Sequence, residues 1–167
     1  MRTTIDVYQP SDTEIDSTHV HPSRSVFIRE VTAKYSGARR ASFTITSPST
    51  VRDFVVRVIK DNSREHFVAL FLDGGHHVIS YSVVSIGTAN STQVHAREVF
   101  QHAILAGAVS IIVAHNHPSG QVEPSDADHN VTRKLSEAGA IIGIPLLDHI
   151  IFTDCDSVSF MERGWMK

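Results

Sequence analysis

The chain has 167 residues, 41% of them hydrophobic and 20% charged, with a formal net charge of −3. That is the size and mix of one ordinary domain of roughly 100–200 residues with a real core, and it excludes collagen-like, low-complexity and fully disordered chains. No apolar run approaches the ~20 residues of a membrane helix, and no basic segment followed by an apolar stretch opens the chain. The single cysteine, Cys155, excludes an internal disulfide and a cysteine zinc site; together these features predict a cytoplasmic protein without a membrane partner.

Residues 1–23 are rich in Ser, Thr, Asp, His and Pro and lack periodicity, so they read as a loosely docked arm, with 24–167 as a single domain. Val26 to Ala33 and Ala41 to Thr46 read as short strands. Ser47-Pro48 opens a helix, the serine as N-cap and the proline at the first position, where its missing N–H costs nothing. Val51, Phe54, Val55, Val58 and Ile59 give that helix one apolar face, and it should end near Asp61-Asn62. His66 to Leu72 suits a buried strand, Asp73-Gly74-Gly75 a hairpin turn requiring positive φ, and His76 to Ile86 the returning strand. His76-His77 reads as exposed.

Thr88 to Ser91 is a loop, and Thr92 or Gln93 starts a helix that Gly107 ends. Val109 to Ala114 is the most strand-like segment and runs directly into the polar turn His115 to Gly120. Ser125 then caps a helix running through Val131 and Leu135 to Gly139. Ile141 to Ile144, Leu146 to Phe152 and Ser157 to Phe160 read as strands, with a turn at Asp154 to Asp156. Alternating strands and helices predict an α/β fold, a mixed β-sheet flanked by helices.

The segment that carries chemistry is His115-x-His117-Pro118, followed by Ser125-x-x-Asp128. Residues two apart in an extended segment project from one face, so both imidazoles leave together where a buried strand ends, with their rings near the surface. Asp128, at the third position of the capped helix, points back toward the helix N-terminus and the histidine pair. Two imidazoles and a carboxylate form the ligand set of a catalytic zinc with water in the fourth position, one ion per chain. Such a site lowers the pKa of bound water to about 7. Each part has an ordinary reading too: Ser125-x-x-Asp128 is a capping-box variant, and an isolated His-x-His is more often a turn pair. The conjunction is what favours a metal.

This pattern resembles the JAMM metalloprotease motif of MPN+ (JAB) domains, His-x-His-Pro-x(6)-Ser-x-x-Asp, and residues 115–128 match it throughout. Asn90-Ser91, Val94-His95-x-Arg97-Glu98-Val99-Phe100, Ala114 to Gly120 and Leu146-Leu147-Asp148-His149-Ile150-Ile151 are similar to the RadC-like branch. The resemblance covers about residues 40–164, without the helix-hairpin-helix region that longer members carry in front. It implies the JAB/MPN fold, which has a cytidine-deaminase-like architecture. It also implies zinc held by His115, His117 and Asp128, and Ser125 helping the oxyanion or the zinc water. Glu65, before the apolar run Phe67 to Leu72, matches the family's general acid/base, with Glu98 as its rival. Asp148 and His149 are either a pair supporting the metal ligands or a polar break in a strand. The implied activity is that of a zinc-dependent metallopeptidase or isopeptidase acting on a protein or peptide.

Other classes fit less well. A zinc deaminase needs Pro-Cys-x-x-Cys, which one cysteine excludes, and the zincin His-Glu-x-x-His helix is absent. His115-Asn116-His117 spells a nuclease tag by coincidence, since that motif is dispersed over a larger unit. Charge keeps a nucleic-acid partner open. Residues 1–64 hold ten Lys/Arg against seven Asp/Glu, a net of +3, while 65–167 hold five against eleven, a net of −6. A protein-interaction module with a structural metal is the third reading.

Overall fold

The computed structural model describes residues 43–59, 61–87 and 94–166. The arm at 1–23, the strand at Val26 to Ala33, the loop at Thr88 to Ser91 and the helix start at Thr92 or Gln93 lie outside them. Of Ala41 to Thr46, the described part makes only an isolated bridge, Thr44 to His77, rather than a strand.

Helix α1 spans Pro48–Val58, with Ser47 as N-cap in a capping box with Thr50 and proline in the first turn. It stops before the expected Asp61-Asn62, because Ile59 leaves helical φ/ψ for an extended conformation (φ −84°, ψ 116°). Strand β1 (Glu65–Leu72) is buried from His66 onward. Asp73 then turns the chain, its Oδ1 accepting the N–H groups of Gly75 and His77 at 2.8 and 2.9 Å. The positive φ expected of the glycines falls instead on His76 (φ 59°). Side-chain acceptance by an aspartate closes this turn without a left-handed glycine.

Strand β2 (Val78–Gly87) returns, and helix α2 follows over Ala96–Ala106, with His95 as N-cap and Gly107 ending it in the left-handed region (φ 67°). Strand β3 (Ser110–Asn116) is buried at all seven positions. Helix α3 (Asp126–Ile142) runs past Gly139 and terminates at Gly143 (φ 81°). The strand expected at Ile141 to Ile144 is therefore the last helical turn and its cap. Gly139 is small for packing rather than for stopping: a Cβ there would lie 2.6 Å from the Ile144 carbonyl oxygen. Strand β4 covers Leu146–Phe152 and β5 covers Ser157–Ser159.

The sheet order is β2-β1-β3-β4-β5. β1 pairs antiparallel with both β2 and β3, α3 carries the chain to β4 parallel to β3, and β5 returns antiparallel on β4. This is a mixed α/β sheet. One face carries Val68, Leu70, Ile112, Ala114 and Ile150 against Val51 and Val55 of α1. The other carries Phe67, Phe71, Val113 and Ile151 against Val99, Phe100 and Ala103 of α2 and Leu135 of α3. Each fully buried Leu, Ile or Phe of these layers contributes about 1.5–3 kcal/mol by leaving water, which fixes the strand ends on which the site is built. Among the described residues no helix is long and apolar enough to cross a membrane.

Candidate metal centre

His115 is the sixth residue of β3 and pairs with Phe67 of β1 and Ile151 of β4. Period-two alternation puts its ring on the α2/α3 face, where Phe67 stacks on it at 5.9 Å between centroids. The ring is wholly buried (0% exposed), not near the surface as the strand-end position suggests. Phe67, His149 and Asp128 of α3 surround it. His117 continues the β3–β4 ladder one step beyond the strand, its N–H donating to the Phe152 carbonyl at 2.9 Å. Gly120 (φ 79°) closes the turn that follows, donating its N–H to the His117 carbonyl at 3.1 Å.

Asp128 arrives from α3. Its Oδ2 accepts the Ser125 N–H at 2.8 Å and the Ser125 hydroxyl at 2.6 Å, while Ser125 Oγ accepts the Asp128 N–H at 3.2 Å. The capping box therefore orients the carboxylate, and the capping and ligand readings of Ser125-x-x-Asp128 hold together. Burial opposes the charge on Asp128. His115, when its Nε2 carries a proton, and the Ser125 donors outweigh that cost and hold the carboxyl below the usual carboxylate range.

Three ligand atoms now converge. His115 Nε2 lies 2.9 Å from His117 Nε2 and 3.2 Å from Asp128 Oδ1, and His117 Nε2 lies 3.8 Å from Asp128 Oδ2. Ligands held at ~2.0–2.1 Å in a tetrahedral array stand roughly 3.3 Å from one another, a spacing these distances bracket. His117 Nδ1 faces the Gln121 carbonyl at 2.7 Å. A carbonyl only accepts, so Nδ1 carries the proton and leaves Nε2 of the neutral ring with its lone pair. This triad can hold a metal ion, and it is the one such group among the described residues.

The other expected residues divide. Glu65 opens β1 two residues before Phe67, so it stands on the same sheet face as His115. Among the described residues no hydrogen bond or ion pair engages its carboxylate. Glu98 lies in the first turn of α2, where a carboxylate favours the helix N-terminus irrespective of chemistry. His149 is fully buried and meets His115 directly, Nε2 to Nδ1 at 2.8 Å. Burial, together with the proximity of His115, pushes its pKa well down, so the ring is neutral.

Asp148 does not approach the triad. It accepts from the His149 and Met161 N–H groups at 2.7 and 3.0 Å and from the Ser159 hydroxyl at 2.6 Å. Burial raises its pKa against those hydrogen bonds. His76 is exposed as expected, whereas His77 is half-buried with its Nδ1 3.0 Å from Asp73 Oδ1, and Cys155 is free and exposed.

Two contributors carry no motif of their own. Asn116 Oδ1 accepts the His66 N–H and its Nδ2 donates to the Arg64 carbonyl, each at 2.8 Å. It clamps the backbone on both sides of Glu65 to the end of β3. Thr132 of α3 contacts His149. A half-open cavity of about 240 Å³ borders His117 and is lined further by Asn62, Asn116, Phe152 and Cys155.

A model of the RadC-like JAB domain family matches residues 45–165. Among curated proteins, a UPF0758 protein of Vibrio parahaemolyticus is 40% identical over 140 residues, covering 83% of this chain and 62% of the relative. Those of Chromohalobacter salexigens and Photobacterium profundum are 46% and 44% identical over 122 residues, covering 73% of this chain and 54% of each relative. The chain thus spans little more than half the length of these relatives. With the family model matching most of the described residues and the mixed sheet presenting His115 and His117 at the end of β3, this chain belongs to the RadC-like JAB domain family.

Proposed function

We propose that this domain is a zinc-dependent hydrolase of the JAMM type, cleaving a peptide or isopeptide amide in a protein or peptide substrate. The observation that carries this reading is the convergence of His115 Nε2, His117 Nε2 and an Asp128 oxygen on one point. His115, His117 and Asp128 would hold the ion. Zinc, when bound, supplies a Lewis acid and acidifies its water to near neutrality.

The chain's own residues do the rest. Glu65 stands on the metal face at the start of β1 with a carboxylate that no described residue engages, and it takes the water's proton and passes it to the leaving amine. Asn116 keeps that carboxylate in place through the flanking backbone. The resemblance gives Ser125 the oxyanion. Its hydroxyl proton goes to Asp128 Oδ2, so we assign it first to orienting that ligand. Oxyanion help from Ser125 requires the proton to swing away as negative charge develops on the substrate.

The test is cleavage of a quenched fluorescent peptide library and of ubiquitin-like conjugates by zinc-loaded protein. Glu65→Gln should abolish cleavage while keeping the zinc. Undiminished zinc-dependent turnover in that variant would show the assigned base to be wrong.

A further inference from the structure

His115 and Asp128 approach the metal position from different elements, β3 and α3, and a second path joins them behind it. Thr132 Oγ1 lies 2.6 Å from the Asp128 carbonyl and 2.6 Å from His149 Nδ1, and His149 Nε2 lies 2.8 Å from His115 Nδ1. Thr132 and His149 are both buried.

The protons along this path can be placed one by one. A hydroxyl 2.6 Å from a carbonyl must donate, because the carbonyl has nothing to give. The one proton of Thr132 is thereby committed to Asp128, so its oxygen can only accept from the other side. His149 Nδ1 therefore carries the N–H. His149 is wholly buried between Phe67 and Phe160, and no carboxylate of the described residues meets its ring, so the ring carries the one proton committed to Thr132 and its Nε2 accepts from His115 Nδ1. His115 then holds its proton on Nδ1, away from the metal, and Nε2 is bare.

We propose that Thr132 and His149 are positioning residues of the metal centre, forming a one-way relay from the α3 backbone that fixes His115 in the tautomer competent to bind a metal. This inference rests on the metal-centre reading above and names residues for which the JAMM-type motif has no position. Burial keeps the relay free of competing water. Phe160 stacks on His149 at 4.6 Å between centroids and Phe67 meets it edge-on at 5.5 Å. Phe160 also donates its N–H to the His149 carbonyl at 3.0 Å. Asp148 acts at one remove, holding Ser159 and Met161 on either side of Phe160.

Thr132→Val keeps the shape of the side chain and removes the acceptor. His149 Nδ1–H then has no partner, the ring gains by moving its proton to Nε2, and His115 is driven to the tautomer with a proton facing the metal. Zinc affinity, read by competition with a fluorescent chelator, should fall about 10–100-fold, the usual cost of losing a partner that orients a metal ligand. Thr132→Ser, which restores the hydroxyl, should return it to within about threefold, well short of that loss. A merely structural role for Thr132 would lower thermal stability and leave the affinity of the folded fraction unchanged, which would overturn the proposal.

A second measurement needs no variant. Nitrogen-15 shifts of the histidine rings in the metal-free wild-type protein should show His115 and His149 both protonated on Nδ1. Finding His115 protonated on Nε2 would overturn the relay even if zinc binds. Wild-type protein that takes up no zinc but shows the Nδ1 tautomers would refute the metal-centre reading and leave the relay standing.

Discussion

The Nε2 atoms of His115 and His117 face each other at 2.9 Å, while the Nδ1 atom of each is occupied by a different partner, His149 and the Gln121 carbonyl. Two imidazoles with their outer nitrogens engaged and their inner lone pairs aimed at one point are poor company without a cation. Asp128 adds a third acceptor at 3.2 Å from His115 Nε2. The backbone fixes this arrangement, since the two rings stand on consecutive same-face positions at the end of a fully buried strand.

Replacing Asn116 with Ala should separate metal binding from turnover. The change strands the buried His66 N–H and leaves the Arg64 carbonyl with the His66 ring alone. The orphaned amide costs about 1–3 kcal/mol where it is cut off from water. The metal ligands are untouched, so zinc content should hold while hydrolysis falls at least tenfold as Glu65 loses its position. Elemental analysis beside a peptide-cleavage assay reads both. Loss of zinc together with activity would mean that Asn116 serves the ligands instead.

Gly139→Ala tests the packing of α3. The added Cβ would meet the Ile144 carbonyl oxygen at 2.6 Å and Phe100 Cζ at 3.2 Å. The first neighbour is backbone and cannot rotate away, so destabilisation of about 1–3 kcal/mol is expected from overpacking. A thermal melt unchanged within 1 °C would contradict the close approach. This glycine also shows where sequence legibility ended. It reads as a helix stop because glycine is common there, whereas the stop is Gly143, four residues on, at φ 81°.

Other features were legible because their causes are local. Ser47-Pro48 starts α1, Gly107 ends α2, and Leu146–Phe152 is a strand from end to end. His115, His117 and Asp128 were legible as a set, since strand alternation and a helix cap place all three. Thr132 was not. It lies 17 residues from His149, and only the crossover from α3 to β4 brings them together. The burial of His115 was also hidden, because it depends on Phe67, His149 and Asp128, which β1, β4 and α3 bring around the strand end. Nor does sequence distinguish the roles of Asp148 and His149, adjacent residues that point to opposite sides of β4.

Acid stability of the metal-free protein should depend on Asp128. Its folded pKa lies below the unfolded value of about 3.9, so its contribution is complete above that value and is lost as pH falls below it. Asp148 has the opposite sign. Its raised folded pKa makes the fold lose stability as pH rises from about 4 through that folded value. Asp128→Asn should therefore flatten the fall in denaturation midpoint below about pH 4 relative to wild type. An unchanged acid limb would show that Asp128 is not held in its charged form by the fold.

Truncating Asp148 to Ala should loosen the C-terminal turn without removing a ligand. Three donors lose their acceptor, the His149 and Met161 amides and the Ser159 hydroxyl. A loss of about 1–3 kcal/mol is expected in urea unfolding, with Asp148→Asn retaining most of the stability because its amide oxygen still accepts. Equal losses in both variants would assign the effect to charge rather than to hydrogen bonding.

The central claim is that this fold builds a zinc site from His115, His117 and Asp128. It is tested most directly by elemental analysis of protein purified without added zinc, alongside His117→Ala. The account predicts about one zinc per chain in the wild type and its loss in a variant that still folds. Folded wild-type protein that carries no zinc and takes up none when it is supplied would contradict it.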